Sequence, residues 1–187
     1  MDKRDRTAAI VDGTLNFLVT GSSIAGGLLI PNLLVALEKP LDMFWEQLDK
    51  RQREREMRHT ISYMKTKQLI RGDYQHGLQI TPKGRKRLKK IEFDKISINR
   101  PDAWDHKWRL VFFDIPEDIR HSRISFMNKL KQLDFYQLQK SAWLHPFPCR
   151  EIIETVAAYY DVDSYISYVE VIHIDNQKKL KQKFDFI

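Results

Sequence analysis

Apolar residues recur at helical spacing near the start of the chain. Ile10, Phe17 and Leu18 fit one helical face, residues 20–27 interrupt it with three glycines, and a second apolar face follows. Residues 13–37 carry no charge, a length that could also span a bilayer. The interruption favours a helical hairpin packed inside the protein or its dimer interface. The residues predicted to be buried there are Ile30, Leu33, Leu34 and Leu37.

The next residues predict a helix and a pair of strands. A helix over residues 51–68 has one apolar face. That face consists of Met57, Ile61 and Met64. Two β-prone runs follow, at residues 69–74 and 78–80, and His76–Gly77 is the turn that joins them.

Residues 81–91 predict a capped and strongly basic second helix. Thr81 is suited to the N-cap, and Pro82 suits the first helical position. Leu88 and Ile91 supply the apolar contacts of this helix. A helix, a two-stranded wing and a capped helix in this order resemble a winged helix-turn-helix module.

After a linker at residues 100–102, the pattern changes to strands that alternate with helices. Strands are predicted over residues 108–115, 136–144 and 165–174, with room for one more inside 141–148, and helices over 119–133 and 150–160. This order indicates a ferredoxin-like βαβ–βαβ domain. The predicted fold class is therefore α+β. Residues 1–100 hold the helical hairpin and the winged helix, and residues 101–187 hold a ferredoxin-like dimerisation domain.

Charge divides along the same boundary. The chain has a net charge of +7; residues 1–100 hold 20 Lys and Arg against 12 Asp and Glu, whereas residues 101–187 hold 12 against 13. Duplex DNA presents a dense backbone charge, and cations that neutralise phosphates release counterions. The first half is therefore suited to double-stranded DNA, and the second half to assembly.

Long donors and small hydroxyls on the predicted helices are the side chains that reach phosphates and base edges in the major groove. The candidates in the helix before the hairpin are Arg55, Arg58, His59, Ser62 and Lys65. The candidate backbone contacts in the following helix are Lys83, Arg85, Lys86 and Arg87. A solvated helix face is the alternative interpretation of such a charge run, and the adjoining wing favours DNA binding.

Several motifs in the second half resemble a known family. The strand Val111–Pro116, the helix residues Arg120, Arg123 and Leu130, and the run Gln139–Trp143 follow the pattern of the small CRISPR-associated endonuclease of spacer acquisition. They resemble still more closely the central domain of PaaX-type transcriptional repressors, in which a winged helix precedes a ferredoxin-like domain. The resemblance covers about residues 50–187. It implies a DNA-binding transcriptional repressor that acts as a homodimer.

Asp114 is the candidate for catalysis and for metal binding. In the resembling nucleases the aspartate at this position is the proposed metal ligand, so the alternative function is a metal-dependent nuclease or spacer-acquisition subunit. One carboxylate is a poor Mg²⁺ site, because hard cations gather several oxygen ligands. Asp114 could instead cap the next helix or pair with Arg120 or Arg123. We therefore predict no enzyme activity, no cofactor and no metal.

Cysteine usage and targeting signals bear on the compartment. Cys149 is the single cysteine, so no internal disulfide can form, and no Cys/His group has zinc-site spacing. No small-residue cleavage site follows the apolar run. We expect a cytoplasmic protein without a membrane partner. The alternative is a membrane-tethered interaction protein anchored by residues 13–37.

The last residues predict how the dimer forms. Phe184 and Phe186 alternate with Asp185 as in a strand, and the polar segment 177–182 before them can act as a flexible arm. An open sheet edge invites another strand. The resembling nucleases lay a C-terminal strand on the sheet of the partner. We therefore expect residues 184–187 to add to the partner sheet and to bury Phe184 or Phe186.

Overall fold

The chain divides into two compact units, residues 1–94 and residues 95–187. The computed structural model describes residues 3–20, 48–73 and 77–184. The described elements of the first unit are α1 (Lys3–Thr20), α2 (Lys50–Thr66), β1 (Ile70–Asp73), β2 (Gly77–Ile80) and α3 (Pro82–Asp94). Those of the second unit are β3 (Trp108–Phe113), α4 (Arg120–Gln132), β4 (Tyr136–Gln139), β5 (Ala142–His145), α5 (Arg150–Tyr159), β6 (Ile166–Val171) and α6 (Gln177–Lys183).

One aliphatic and methionine-rich core holds the first unit together. The apolar face predicted for α2 is confirmed, since Met57, Ile61 and Met64 are buried. They join apolar residues of α1 (Ile10, Val11, Leu15 and Leu18), of the hairpin (Ile70, Leu78 and Ile80) and of α3 (Leu88). Because every element contributes to the same cluster, the hairpin and the two flanking helices are fixed relative to one another.

Local hydrogen bonds fix the beginning of α2. The Gln52 N–H donates to Asp49 Oδ1 at 2.8 Å, and the Asp49 N–H donates to Gln52 Oε1 at 3.0 Å. This reciprocal pair is a capping box, which satisfies two backbone donors that the first helical turn leaves without partners. α2 therefore begins at Lys50, one residue before its predicted start.

Thr81 connects the hairpin to both of its helices. Its hydroxyl donates to the Gln68 carbonyl oxygen at 2.7 Å and accepts from the Gly84 N–H at 3.0 Å, which is the predicted N-cap of α3. The Thr81 N–H donates to the Leu69 carbonyl oxygen at 3.1 Å. At Gly84 a Cβ atom would collide with that same carbonyl oxygen, so glycine permits the close approach of α3 to the segment between α2 and β1.

The second unit is a four-stranded antiparallel sheet in the order β4-β5-β3-β6. With one helix between β3 and β4 and another between β5 and β6, this is the strand order of a ferredoxin-like fold. The predicted fold class is confirmed. The region 136–144, predicted as one strand, is instead a hairpin of β4 and β5. The further strand that fitted inside 141–148 is β5.

The two faces of this sheet are covered differently. On one face, Phe113 packs edge-on against Phe126 of α4, with ring centroids 5.5 Å apart. On the other face, Trp108 and Leu144 are covered by Leu180 of α6. Further along that second face, Phe112 and Val169 remain 39% and 38% exposed, next to the partly buried Leu110. We call Leu110, Phe112 and Val169 the open sheet face.

The C-terminal segment differs from its prediction. Residues 177–183 form helix α6 rather than a flexible arm, because Leu180 anchors the helix on the sheet through contacts with Trp108 and Leu144. Phe184 follows this helix, and its ring lies against Trp108 and His145 of its own unit, at centroid distances of 6.1 and 6.0 Å. Phe186 lies outside the described residues.

The predicted apolar hairpin is only partly described. α1 carries its first apolar face and ends at Thr20. Ile30, Leu33, Leu34 and Leu37 lie outside the described residues, and so does most of the uncharged run 13–37. Across residues 3–20, 48–73 and 77–184, no helix combines the length and the apolar character that crossing a bilayer requires.

Candidate nucleic-acid interface

The predicted groove contacts lie on the side of α2 away from the core. The exposed residues are Arg55, Arg58, His59 and Ser62. They lie opposite the buried face of the same helix, which contains Met57 and Ile61. We call these four residues the basic face of α2. The fifth candidate, Lys65, is half-buried at the edge of this face. α2 therefore presents guanidinium, imidazole and hydroxyl groups together to solvent.

Among the described residues, the two arginines of the basic face have one acidic partner between them. Arg58 Nη2 lies 3.5 Å from Glu54 Oε2, one turn earlier, yet the Arg58 side chain is 70% exposed. An exposed pair of this kind contributes little stability. Within the described residues, Arg55 has no ion pair. The guanidinium groups thus remain accessible to an external anion.

The predicted phosphate contacts lie on α3. Lys83, Arg85, Lys86 and Arg87 are exposed, while Gly84 and Leu88 face the core. Arg87 Nη2 reaches Asp12 Oδ1 of α1 at 4.0 Å, which is the one acidic partner described for this set. Lys89 and Lys90 are exposed as well, so like charges recur at i and i+4, a spacing that destabilises an isolated helix.

The hairpin contributes one cation that the sequence analysis did not single out. Arg71 lies opposite Gln79 in the β1–β2 ladder, and its Nε donates to Gln79 Oε1 at 3.2 Å. Both side chains are exposed, whereas Ile70, Leu78 and Ile80 face the core. The alternation of apolar and polar residues along this strand was the signal that could have identified Arg71.

Asp114 lies at the rim of a separate cleft in the second unit. The carboxylate is exposed, directly after β3, and the Asp114 N–H donates to the Tyr165 carbonyl oxygen at 3.1 Å. The cleft encloses about 440 Å³, and the side chains of Arg123, Lys140 and Ser141 also line it. Two cations in the lining oppose the binding of a metal cation.

The acidic residues near Asp114 are engaged elsewhere. Glu117 lies 2.7 Å from Arg123 and 3.5 Å from Arg120. The predicted pairing of Asp114 with either arginine is therefore wrong, because Glu117, three residues further on, takes both. Among the described residues, no group of three or more His, Cys, Asp or Glu side chains could hold a metal ion. Asp114 thus stands as a single carboxylate.

The comparison with known proteins concerns the second unit. Residues 101–182 match the family model described as the PaaX protein central Cas2-like domain. Residues 101–182 are therefore similar to that domain. The predicted resemblance is confirmed over these residues, and it agrees with the strand order of the sheet. A search of curated proteins finds no match to the chain.

Burial changes the pKa values of His145 and Cys149 in the second unit. The His145 ring lies between Phe135 and Phe147, and its Nδ1 accepts from the Phe147 N–H at 3.1 Å. Burial lowers the pKa of His145 to about 4. Burial likewise raises the pKa of the Cys149 thiol to about 11. Both groups are therefore uncharged at neutral pH and act as packing residues of the domain.

Proposed function

We propose that this protein is a DNA-binding transcriptional regulator of the PaaX type, which acts as a repressor. The observation that carries the proposal is the set of exposed cations on α2 and α3, displayed by elements that share one core with the hairpin between them. The order of helix, two-stranded hairpin and capped helix supports a winged helix-turn-helix. The match of residues 101–182 to the model of the PaaX protein central Cas2-like domain supports the same function.

The positive charges on α3 repel one another, and in our proposal bound DNA removes this repulsion. Lysines and arginines repeat at i and i+4 around this helix, and each such pair destabilises a helix by about 0.2–0.5 kcal/mol. A helix face that only contacts water does not need so many positive charges close together. A phosphate backbone neutralises these charges and releases counterions, so that repulsion in the free protein becomes affinity in the complex.

The two helices are assigned different roles. In our proposal the basic face of α2 enters the major groove, where the fork of an arginine matches the O6 and N7 acceptors of guanine. Lys65 extends this face. The cations of α3 and Arg71 of the hairpin bind backbone phosphates and thereby set the register of the protein on the duplex.

We further propose that the regulator is a cytoplasmic homodimer. The open sheet face supports self-association, because it exposes the apolar side chains of Phe112 and Val169 beside the partly buried Leu110. The expectation that Phe184 and Phe186 contribute to the dimer remains part of this proposal. A single cysteine, which forms no internal disulfide, agrees with a reducing compartment. Sedimentation of the intact chain at micromolar concentration tests the dimer.

The DNA surface is tested by binding measurements over a salt series. Genomic fragments selected by the protein serve as preferred DNA, and unrelated duplexes of equal length serve as the reference. Arg58→Ala should weaken binding to the preferred fragment by roughly 1–3 kcal/mol and change binding to the reference much less. Arg85→Ala should weaken both equally and reduce the slope of log K against log salt by about one.

A matched control distinguishes these effects from a general loss of charge. Arg120→Ala removes an exposed arginine from the second unit, where it pairs with Glu117, and should leave binding unchanged. Equal binding by the wild type, Arg58→Ala and Arg85→Ala would contradict the assignment of the DNA surface. A reporter gene under the selected fragment, which the protein should silence, tests repression.

A further inference from the structure

A second basic site lies in the PaaX-type domain, which the sequence suggested to be electrostatically neutral. Arg100, Lys131 and Lys183 line one cleft of about 310 Å³, together with the rings of Phe135 and Phe184. The three cations come from the segment before β3, from the last turn of α4 and from the last turn of α6. We call this site the lysine cleft.

The lysine cleft carries more positive than negative charge. Asp134 is the one carboxylate in its lining, and it pairs with Arg100 at 3.2 Å. Among the described residues, no acidic side chain pairs with Lys131 or Lys183, and both lysines are exposed. The lining therefore retains two positive charges at neutral pH. Elsewhere in this unit the arginines are paired with glutamate or aspartate, as Arg109, Arg120, Arg123 and Arg150 are.

The walls of the cleft select the type of anion. Phe135 is buried and Phe184 half-buried, so two rings form an apolar side next to the ammonium groups. A phosphate on a sugar matches this combination, because its oxygens accept from the lysines while the sugar carbons contact the rings. Ammonium groups bind a phosphate as point charges, without reading the base that is attached to it.

We infer that the lysine cleft binds a backbone phosphate of DNA, which gives the protein a contact outside its winged-helix unit. The inference rests on the proposed function, since it assumes that DNA is the ligand. It adds a contribution that is independent of base sequence. The PaaX-type domain then takes part in DNA binding directly, in addition to assembling the dimer.

The test compares the salt dependence of DNA binding in the full chain. Lys131→Gln and Lys183→Gln keep the length and helical propensity of the side chains and remove their charge. Because the two lysines neutralise one phosphate, the two substitutions together should lower the slope of log K against log salt by about one. The ratio of the Kd at 200 mM salt to that at 50 mM should fall about fourfold, equally on preferred and unrelated DNA. Lys131→Arg with Lys183→Arg should keep the wild-type slope.

Lys140→Gln is the matched control. Lys140 is an exposed lysine of the same unit, in the turn between β4 and β5, and it has no ion pair among the described residues. Its substitution should leave the slope unchanged. If the wild type binds DNA and the Lys131→Gln, Lys183→Gln chain has the slope of the control, the lysine cleft is not a DNA contact and the proposed function stands. If the wild type binds no DNA, the proposed function itself is overturned.

A second measurement separates DNA from free phosphate compounds. Inorganic pyrophosphate is titrated into the full chain, and tryptophan fluorescence is followed because Trp108 packs against Phe184 of the cleft. A saturable change that is absent in the double glutamine variant, together with reduced DNA slopes, supports the inference. The same fluorescence change with unaltered DNA slopes would assign the cleft to a free phosphate compound and overturn the DNA assignment.

Discussion

The two units of this protein use arginine in opposite ways. In the first unit Arg55 and Arg58 extend from α2 into solvent, far from the apolar core. In the second unit Arg109 on β3 is only 2% exposed. Its Nη1 donates to Asp105 Oδ1 at 2.7 Å and to the Pro146 carbonyl oxygen at 2.8 Å, and its Nη2 pairs with the other oxygen of Asp105. One unit leaves its guanidinium groups at the surface, and the other uses one to fix its fold.

The difference shows what a buried arginine requires. Burial opposes the charge of Arg109, but the hydrogen bonds and charge of Asp105 outweigh it, so the pKa of Arg109 is raised. The hydrogen bond from Arg109 in turn holds the pKa of Asp105 below its usual value. A guanidinium without such a carboxylate stays at the surface, where an external anion can take that place.

Removing the buried arginine should have the largest effect on stability. Arg109→Ala leaves the Asp105 carboxylate and the Pro146 carbonyl without their shared donor and removes the ion pair with Glu170, 3.8 Å away. Breaking a buried pair costs about 3–5 kcal/mol, and we expect the lower end because Asp105 is 43% exposed. Urea unfolding followed by tryptophan fluorescence measures this loss, since three of the four tryptophans (Trp104, Trp108 and Trp143) lie in the second unit. Arg58→Ala is the control from the first unit and should change the free energy of unfolding by less than about 0.5 kcal/mol. Similar values for both variants would remove the contrast between the units.

Acid should destabilise the second unit through His145. The unfolded chain binds a proton near pH 6.5, whereas the buried ring binds one only near pH 4. Between these values the unfolded state holds more protons, so stability falls as the pH falls, by up to about 3 kcal/mol. In His145→Asn, where an amide oxygen can still accept from the Phe147 N–H, the loss between pH 6.5 and pH 4 should be smaller by that amount. If the free energy of unfolding fell equally with pH in the wild type and in His145→Asn, this explanation would be contradicted.

The smallest expected effect belongs to the first unit. Thr81→Val keeps the shape of the side chain but removes the hydroxyl that caps α3 and bonds Gln68. Loss of a helix N-cap costs about 1 kcal/mol. Thermal unfolding followed by circular dichroism should show the loss, and the stability of the second unit should not change. Thr155→Val serves as the control, because its hydroxyl bonds only within α5. An unchanged melting curve for Thr81→Val would mean that water replaces the cap.

Much of the fold followed from periodicity. The observed bounds lie within a few residues of the predicted ones for α2, the hairpin, the Thr81 cap and the strand β3. Each of these combines a clear apolar pattern with a local signal such as Pro82. The turn between β4 and β5 was missed because it contains no Gly, Pro, Asn or Asp, and Ser141 favours a turn more weakly than these residues. α6 was missed because Leu180 is its one buried residue, and a single apolar position carries no period.

The candidate site was less accessible to prediction. Basic residues that follow one another along a helix can be recognised as a surface, and those of α2 and α3 were. Arg100, Lys131 and Lys183 are separated by 31 and 52 residues, and only the folded domain brings them to one cleft. The burial of Arg109 was missed for a different reason. Arginine is rarely buried, and the neighbouring sequence does not indicate that Asp105 accepts its hydrogen bond.

The single cysteine makes the stability of the PaaX-type domain measurable in an intact chain. Cys149 is buried, its thiol donates to Tyr168 Oη at 3.9 Å, and with a pKa of about 11 it is almost wholly protonated at neutral pH. A thiol reagent can therefore label the chain only when this domain opens. The labelling rate reports the opening equilibrium of one unit under native conditions, while the other unit contributes no thiol. If bound DNA slows the labelling of Cys149, then DNA binding stabilises the closed state of the second unit.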